Sequence, residues 1–471
     1  MKKAIRCIAF MVILGFIVLK IYDVLKWKDT AGDYISTTQQ LYATEEGLID
    51  VVFLGSSHGY CGTSADVMWG EYGYSAFGMN TSGQDKDSTY YMLKEVLKTQ
   101  SPRVVCVELW GLTYDEHAIL GNVYRNMLSL QLSRNSVELV KAYVEDEEEQ
   151  KDYILRWPII HTRYKELDKY DFVTNDVSEY GRSVPGFYTA GWSAYPTEAM
   201  ECKVAGELTE SNEAWLNALY QLSQEEDFEL VLYVAPTDIK VEYQQQMNAA
   251  GEFAREKGIT FFDFNRLAPD IGIDYSSDFS DGTHLNSRGA KKLTLYLGDY
   301  FDKNFDLMDH RGEDQYAFWE QSYQYYEQLE PAYIMSQTKD LGEYITLLKE
   351  MRNITCVIAL EGNYKESGLN FQEAFGELGM TEEDYEAGGK FIYTDGELQK
   401  VLENDSKDIY VYELNEFDSF KIWNAQLYDS EATNHNNIML NLDSVGSIYD
   451  GVSVVVYDDI RKIMIDKRGY F

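Results

Sequence analysis

Short apolar runs alternate with helix-like stretches along most of this chain. The runs that predict buried strands are residues 48–53, 104–109, 230–234 and 259–264. The stretches that predict helices are residues 90–98, 240–257 and 287–301. Strands that alternate with helices are typical of a mostly parallel sheet covered by helices on both faces. In such sheets the functional groups gather at the carboxyl ends of the strands.

The alternation is interrupted twice, and the interruptions predict the domain boundaries. Residues 115–215 break the rhythm and include an acidic run, residues 144–149, that we expect to be helical, so a helical insertion is predicted there. Residues 306–334 are polar and rich in tyrosine, and they predict a linker or a docking helix. We therefore expect a first domain over residues 45–305 and a second, smaller α/β domain over residues 335–471.

The second domain has its own pattern of apolar positions. A helix is predicted at residues 341–352 and a strand at residues 355–360. A terminal hairpin is predicted from the runs at residues 451–457 and 461–465. These elements suggest another unit in which helices cover a sheet.

The first 28 residues predict a membrane anchor. Basic residues at positions 2, 3 and 6 precede an apolar run at residues 7–19, which resumes after Lys20 and closes near Trp27. A span takes about 20 apolar residues, lysine can extend its amine to the interface, and tryptophan suits the headgroup region. No small-x-small cleavage site follows, so we favour an uncleaved anchor over a cleaved signal peptide. The basic residues place the N-terminus in the cytoplasm and the rest of the chain outside the cell membrane.

Length, charge and cysteine usage narrow the classes of protein. A chain of 471 residues suggests two to three domains. The net charge of −38 argues against a nucleic-acid partner, because Lys and Arg supply the charge that binds phosphates. The five cysteines form no CxxC pair and no set with metal-ligand spacing. We therefore predict buried free thiols, no metal site and no cofactor.

Two short segments carry the groups that acyl chemistry needs. Residues 54–59 (LGSSHG) place a serine where the first strand ends and a helix begins. Residues 281–284 (DGTH) place a carboxylate three positions before a histidine. A serine hydroxyl becomes a nucleophile when a base takes its proton, and a third group must orient the base. Ser57, His284 and Asp281 are predicted to fill these three roles.

Each of these residues also has a purely structural interpretation. A serine that follows a strand-end glycine is ordinarily a helix N-cap, and Asp281 could cap the helix behind it. His284 could be a histidine whose hydrogen bonds are satisfied in the core. Ser56 is the competing nucleophile. The joint occurrence of the three groups in this order favours catalysis, with Ser57 as the nucleophile.

The serine segment matches two families in different ways. Residues 55–59 fit G-x-S-x-G, the nucleophile elbow of the α/β-hydrolases, but that elbow follows several strands and here it follows the first. The arrangement instead resembles the SGNH/GDSL hydrolase superfamily. Its first block ends in a serine matched by Ser57, and its last block, Asp-x-x-His, is matched by Asp281 and His284. The resemblance implies a three-layer α/β fold with a parallel sheet.

The middle blocks of the resemblance are less complete. Residues 80–84 (NTSGQ) look like the second block, and the resemblance implies an oxyanion hole formed by the N–H groups of Ser57 and Gly83. The third block normally carries Gly-x-Asn-Asp, but residues 108–111 (ELWG) contain no asparagine. A lost oxyanion donor costs about a hundred- to a thousandfold in rate. The further residues expected to line the pocket are Ser56, His58, Asn80 and His161.

Membrane-anchored members of the superfamily narrow the expected function. The Gly-Ser-Ser start at residues 55–57 is similar to that of the D-alanyl teichoic acid transfer proteins, which work in O-acylation of cell-envelope polymers. The resemblance implies a serine esterase or O-acyltransferase that acts on a cell-surface glycan or teichoic acid. The partners it implies are an acyl donor and a membrane-bound O-acyltransferase. The alternative is a catalytically inactive protein of the same fold that binds or scaffolds surface glycan.

The second domain has a resemblance of its own. Residues 344–349, 357–360 and 451–458 are similar to the interleukin-like EMT inducer domain. Related domains look like carbohydrate-binding or interaction modules. The resemblance implies a ligand-presenting role without catalysis, and an unrelated α/β accessory domain is the alternative.

Overall fold

The computed structural model divides the chain into two compact units. The first unit holds the described residues up to Tyr323, and the second holds those from Gln324 onwards. The described residues are 2–26, 34–114, 120–167, 169–172, 192–198, 202–367, 371–415, 418–424, 437–441, 443–446, 451–459 and 463–470. Residues 27 and 28, the expected end of the anchor, lie outside them.

A parallel five-stranded sheet forms the centre of the first unit, as the sequence predicts. Its strands are β1 Val51–Leu54, β2 Ala76–Gly78, β3 Val104–Glu108, β4 Glu229–Val234 and β5 Thr260–Asp263. Their order is β2-β1-β3-β4-β5, and every neighbouring pair is parallel. The four predicted strands are confirmed, and β2 is an additional edge strand.

Helices cover both faces of this sheet. The helices of the first unit, including the exposed N-terminal helix and those of the insertion, are α1 Lys2–Leu25, α2 Tyr34–Ala43, α3 Ser57–Gly62, α4 Ala65–Tyr72, α5 Lys86–Val96, α6 Leu120–Ser129, α7 Arg134–Tyr143, α8 Glu147–Leu155, α9 Trp157–Ile160, α10 Glu210–Glu226, α11 Val241–Lys257, α12 Phe264–Leu267 and α13 Ser287–Asn304. Val52 and Leu54 join one buried cluster, with α5, α10 and α11, whereas Val51 and Phe53 join the other, with α4 and α13. Successive strand residues point to opposite faces, so a strand buried on both sides reads as a continuous apolar run.

The N-terminal helix and the insertion pack together. The segment Ile5–Leu25 of α1 is long and apolar enough to cross a membrane. The predicted insertion, residues 115–215, is mostly helical over its described residues 120–167, whereas its described residues 192–198 and 202–209 form no helix. The guanidinium of Arg163 donates to the carbonyls of Leu25 at 2.9 Å and Lys26 at 2.7 Å. The insertion therefore holds the C-terminal end of α1.

Residues 306–334 contain most of a long helix, α14 Ala317–Gln337. The first turns of α14 belong to the core of the first unit. Trp319 is 2% exposed, and its indole N–H donates to the carbonyl of Ala76 at 2.8 Å. The hydroxyl of Ser322 donates to the buried carboxyl of Asp66. A stretch whose polar composition predicts a linker or a docking helix thus contributes a tryptophan to the core.

The second unit contains two antiparallel sheets. Its remaining helices are α15 Leu341–Glu350, α16 Phe371–Gly376 and α17 Glu382–Ala387. Its strands are β6 Ile354–Glu361, β7 Gly389–Thr394, β8 Glu397–Leu402, β9 Tyr410–Glu413, β10 Ser419–Ile422, β11 Ile438–Leu440, β12 Asp443–Ser444, β13 Gly451–Asp458 and β14 Ile463–Tyr470. The two sheets have the orders β14-β13-β6-β7-β8 and β12-β11-β10-β9.

The predicted helix, strand and terminal hairpin of the second unit are confirmed by α15, β6 and the antiparallel pair β13–β14. The expectation of another alternating α/β unit is wrong. Direct turns join several strands, so the chain reverses without a crossover helix. Between β7 and β8, Asp395 and Gly396 have φ values of 52° and 79°, the left-handed pair that a two-residue hairpin turn needs. The Asp-Gly dipeptide was the available sequence signal.

Candidate active site

The end of β1 leads directly into the serine segment. Gly55 has a φ of 137°, and a Cβ at this position would stand 2.6 Å from the Cβ of Glu108. Glycine alone tolerates both conditions. Ser56 caps α3, because its Oγ accepts a hydrogen bond from the N–H of His58 at 3.3 Å. Ser57 is therefore the first residue of α3, where a backbone N–H has no intrahelical acceptor.

The histidine segment is a tight loop that precedes α13. Phe279 and Leu285 form an antiparallel bridge, and the N–H of Ser280 donates to the carbonyl of His284 at 2.9 Å. Asn286 caps α13 through its side-chain oxygen. These hydrogen bonds fix the backbone that carries His284.

Ser57, His284 and Asp281 lie in hydrogen-bond contact. Ser57 Oγ is 2.8 Å from His284 Nε2, although the two residues are separated by 227 positions in the chain. His284 Nδ1 is 2.8 Å from Asp281 Oδ2. The two ring nitrogens thus connect the hydroxyl to the carboxylate, which is the connection that a serine, a base and an orienting acid need.

The Asp281 carboxylate is held in its charged form. Partial burial opposes this, but the N–H of Thr283 and the ring of His284 both hydrogen-bond to the carboxylate and lower its pKa to about 2. The backbone N–H of His284 also donates to Oδ1 at 2.9 Å. The side chain remains 54% exposed, so solvent screens part of this interaction. At neutral pH the carboxylate is charged and accepts the proton on Nδ1.

Glu108 is a site residue that the sequence analysis did not assign. Its carboxylate is buried at the end of β3 and accepts from the hydroxyl of Ser56 at 2.9 Å. It also accepts from the N–H of Trp110 at 2.7 Å and from the N–H of Ser56 at 3.3 Å. Ser56 is therefore committed to a structural hydrogen bond, and its hydroxyl faces a carboxylate rather than the base His284.

His58 fills the space behind the catalytic candidates. Its ring stacks on Trp110 with centroids 4.0 Å apart, and it lies 4.7 Å from the ring of His284. Nδ1 is 3.3 Å from Ser56 Oγ. Burial, together with the nearby His284, lowers the pKa of His58 well below its usual value. His58 is therefore a neutral side chain that lines the site next to His284.

The second-block segment is tied to the turn before Ser57. The N–H of Thr81 donates to the carbonyl of Gly55 at 3.2 Å, and the N–H of Gly55 donates to the side-chain oxygen of Gln84 at 2.9 Å. Gly83 lies within this segment with a φ of 61°. Asn80 is buried, and among the described residues neither of its side-chain polar atoms has a hydrogen-bond partner.

The structure does not bring every predicted pocket residue to this site. His161 is exposed in a short 3-10 segment, His161–Lys165, and its Nδ1 lies 2.7 Å from the carbonyl of Pro158. That segment packs against α1. Within the described part of the chain, no cluster of three or more His, Cys, Asp or Glu side chains is arranged to hold a metal ion.

Replacing Glu108 with glutamine is expected to flatten the pH dependence of stability of the first unit. Burial raises the pKa of Glu108 from 4.5 to about 7, so the folded protein holds this proton more tightly than the unfolded chain. The stabilisation is complete below pH 4.5 and is lost as the pH rises through 7. The loss amounts to at most about 3 kcal/mol. Denaturant unfolding at pH 5 and pH 8 measures it.

Asp66 provides the matched control. Burial also raises the pKa of Asp66 to about 7, and its hydroxyl partner is Ser322, away from the turn at Gly55. Asp66→Asn should remove a similar share of the pH dependence without disturbing the hydrogen bonds of Ser56. An unchanged difference between pH 5 and pH 8 in Glu108→Gln would contradict the raised pKa of Glu108.

Comparisons with known proteins identify few chains that are similar to this one. No protein-family model and no curated protein matches the chain. Among solved structures, a chain from Bacteroides fragilis described as a putative acylhydrolase is similar over 59% of this chain and 99% of its own length. The sequence identity is 12% and the TM-score is 0.30.

Proposed function

We propose that this protein is a membrane-anchored serine esterase or O-acyltransferase of the SGNH type that forms an acyl-enzyme at Ser57. The observation that carries the proposal is the connection from Ser57 Oγ through the ring of His284 to Asp281, with 2.8 Å at each step. Two distant segments supply these groups, so local backbone geometry alone does not explain their meeting. The hydrogen bond from Ser56 to Glu108 supports Ser57 over Ser56 as the nucleophile.

The proposed reaction begins when His284 Nε2 takes the proton of Ser57. Oγ attacks the carbonyl carbon of an ester, and Asp281 stabilises the imidazolium that forms. Collapse of the tetrahedral intermediate breaks the ester bond, and His284 returns its proton to the leaving oxygen. Water or a glycan hydroxyl then attacks the acyl group on Ser57, and His284 takes its proton. The bond from the acyl carbon to Ser57 Oγ breaks, and His284 returns the proton to Oγ. The products are a free acid in hydrolysis and a new ester in transfer.

The proposed oxyanion hole uses the N–H groups of Ser57 and Gly83, with Asn80 as a further donor. The family's third-block asparagine has no counterpart, because residues 108–111 carry no amide side chain. Asn80 supplies a buried amide close to α3, where a Cβ on Gly59 would overlap its Nδ2. A preorganised amide donor of this kind is typically worth about 3 to 4 kcal/mol in the transition state.

The proposed substrate is an O-acylated cell-envelope polymer. The apolar segment Ile5–Leu25 supports membrane attachment, and the basic residues at its start support an outward-facing catalytic unit. A surface of net charge −38 repels nucleic acid, whereas neutral glycan carries no such penalty. A membrane-bound O-acyltransferase is the proposed source of acyl groups, and the second unit is proposed to present the polymer.

A non-catalytic glycan-binding protein is the second candidate. It is favoured by the missing third-block asparagine and by the exposure of Asp281, which leaves the orienting carboxylate accessible to water. The contact between Ser57 and His284 opposes it, because a binding scaffold has no need for an activated hydroxyl.

Labelling with a fluorophosphonate distinguishes the two candidates. The full-length protein in detergent is treated with the probe, and the modified peptide is located by mass spectrometry. The proposed enzyme should be labelled at Ser57, and labelling should be lost in His284→Ala. Labelling at Ser56 would identify Ser56 instead of Ser57 as the nucleophile. A folded protein that is not labelled would favour the glycan-binding candidate, and a glycan array would then be the next measurement.

A further inference from the structure

A cavity of 530 Å³ lies beside the C-terminal end of α1, within the first unit. Its walls include Val18, Leu19 and Tyr22 from α1, with further residues from α2, α6, α8 and α9. Binding pockets for small ligands typically measure about 300 to 1,000 Å³ and are mostly apolar. None of the residues of the Ser57 site lines this cavity. The cavity therefore has no part in the reaction proposed at Ser57.

The cavity reaches into the length of α1 that would lie in the bilayer. The 21 residues of Ile5–Leu25 rise about 31 Å as a helix, which matches a hydrocarbon core of about 30 Å. Val18 precedes Leu25 by seven positions, or about 10 Å of helix. Leu132 and Leu155 line the same cavity and are 66% and 60% exposed. Because the proposed function places α1 in a membrane, apolar side chains at this depth would face lipid rather than water.

One side of the cavity is lined by the cation Arg156. The guanidinium of Arg156 donates to the carbonyls of Met127, Leu128 and Leu130. Its Nε is buried without a partner, and among the described residues no carboxylate forms an ion pair with it. Arg156 also adopts a left-handed backbone with a φ of 63°, a strained conformation that non-glycine residues keep mainly where the surrounding structure requires it.

We propose that this cavity binds an acyl chain of an anionic phospholipid, with the lipid phosphate beside Arg156. An apolar void at hydrocarbon depth is filled at little cost by a lipid chain, whereas its lining loses contacts when it is empty. A transmembrane helix of a partner protein is the alternative occupant, and the crosslinking experiment distinguishes it from a lipid. The cation Arg156 in the cavity wall favours an acidic headgroup over a zwitterionic one.

Photo-crosslinking of the full chain in vesicles tests this proposal. The probe is phosphatidylglycerol with a diazirine in its acyl chain, and the adducts are mapped by peptide mass spectrometry. We expect adducts on residues 128–132 and 154–160 as well as on α1. Phosphatidylcholine with the same diazirine chain should label the cavity peptides about fivefold less, because a Lys or Arg near the surface contributes about 1 kcal/mol to binding acidic lipid.

Two variants make the result specific. Leu128→Trp places a larger ring in the cavity and should reduce its labelling about tenfold, because overpacking a filled site costs 1 to 3 kcal/mol. Met308→Trp adds the same ring at an exposed position of the first unit that does not line the cavity, and it should change nothing. Labelling of α1 itself reports insertion in every sample.

Several results would overturn the proposal. Equal labelling of Leu128→Trp and the unmodified chain would show that the lipid contacts a surface instead of the cavity. Equal labelling by the two lipids would remove the role of Arg156. Labelled α1 without cavity adducts, or a crosslink from the cavity to a membrane protein, would exclude a lipid occupant. A mature chain that lacks α1 would also exclude it, and none of these readouts depends on ester turnover.

Discussion

Ser57→Ala is expected to reduce ester turnover by about 10⁴-fold or more while leaving the fold intact. Ser57 Oγ makes its one described hydrogen bond to His284 Nε2 at 2.8 Å, so the substitution removes the nucleophile and no structural contact. The measurement is kcat/KM with an activated aryl ester, together with a thermal unfolding curve of the same preparation.

Ser56→Ala is the matched control for this experiment, because it removes a neighbouring hydroxyl with a different role. The Ser56 hydroxyl is buried, hydrogen-bonds to Glu108 and caps α3. Its loss should cost about 1 to 2 kcal/mol of stability. The remaining activity should exceed that of Ser57→Ala by at least about a hundredfold, because the nucleophile is retained. The reverse order of activities would assign the chemistry to Ser56.

Asp281→Asn is expected to lower kcat by about 10³-fold without changing the affinity for substrate. The asparagine NH₂ can donate a hydrogen bond to Nδ1, which favours the tautomer of His284 with its proton on Nε2, so Nε2 is no longer free to act as a base. Replacing a buried aspartate in the same role by asparagine lowers kcat by about 10⁴-fold. The 54% exposure of Asp281 reduces the loss expected here. The measurement is kcat and KM for the same ester.

The pH profile adds an independent check on Asp281. Because the pKa of Asp281 is lowered, its charged carboxylate stabilises the folded protein above pH 3.8, its usual pKa. This stabilisation is lost as the pH falls through about 2. Protonation of Asp281 should therefore cause no loss of activity between pH 5 and pH 8.

Thr283→Val is the control for Asp281→Asn, since it removes the hydroxyl that donates to Asp281 at 3.1 Å and keeps the carboxylate. Activity of Asp281→Asn close to that of Thr283→Val would contradict the proposed role.

The sequence predicts the parallel sheet well, because the sheet depends on strong local signals. The strands buried on both faces are uninterrupted apolar runs, and the ends of parallel strands meet at one edge of a sheet. The residue types and order of Ser57, Asp281 and His284 then indicate which loops carry the chemistry. Their distances, 2.8 Å from serine to histidine and from histidine to aspartate, come only from the folded chain.

Other features have signals too weak or too distant to read in advance. Strand β2, Ala76–Gly78, is three residues long and ends in glycine, so periodicity cannot identify it. Glu108 is visible as a strand-end carboxylate, but its partner Ser56 lies 52 positions away. The short strands of the second unit give no long apolar run, and in Tyr410–Glu413 half-buried residues alternate with exposed ones. These features depend on contacts between residues that are far apart in the sequence, and a short stretch of sequence does not show such contacts.

Helix α14 contributes a residue to the core of each unit. Its first turns place Trp319 in the core beside the sheet of the first unit, whereas Met335, near its end, belongs to the core of the second. A truncated gene that stopped at residue 305 would encode the whole candidate active site and yet lack the tryptophan that covers β2. Recombination between related genes is therefore expected to respect α14 as an indivisible segment, and the units are expected to be inherited together.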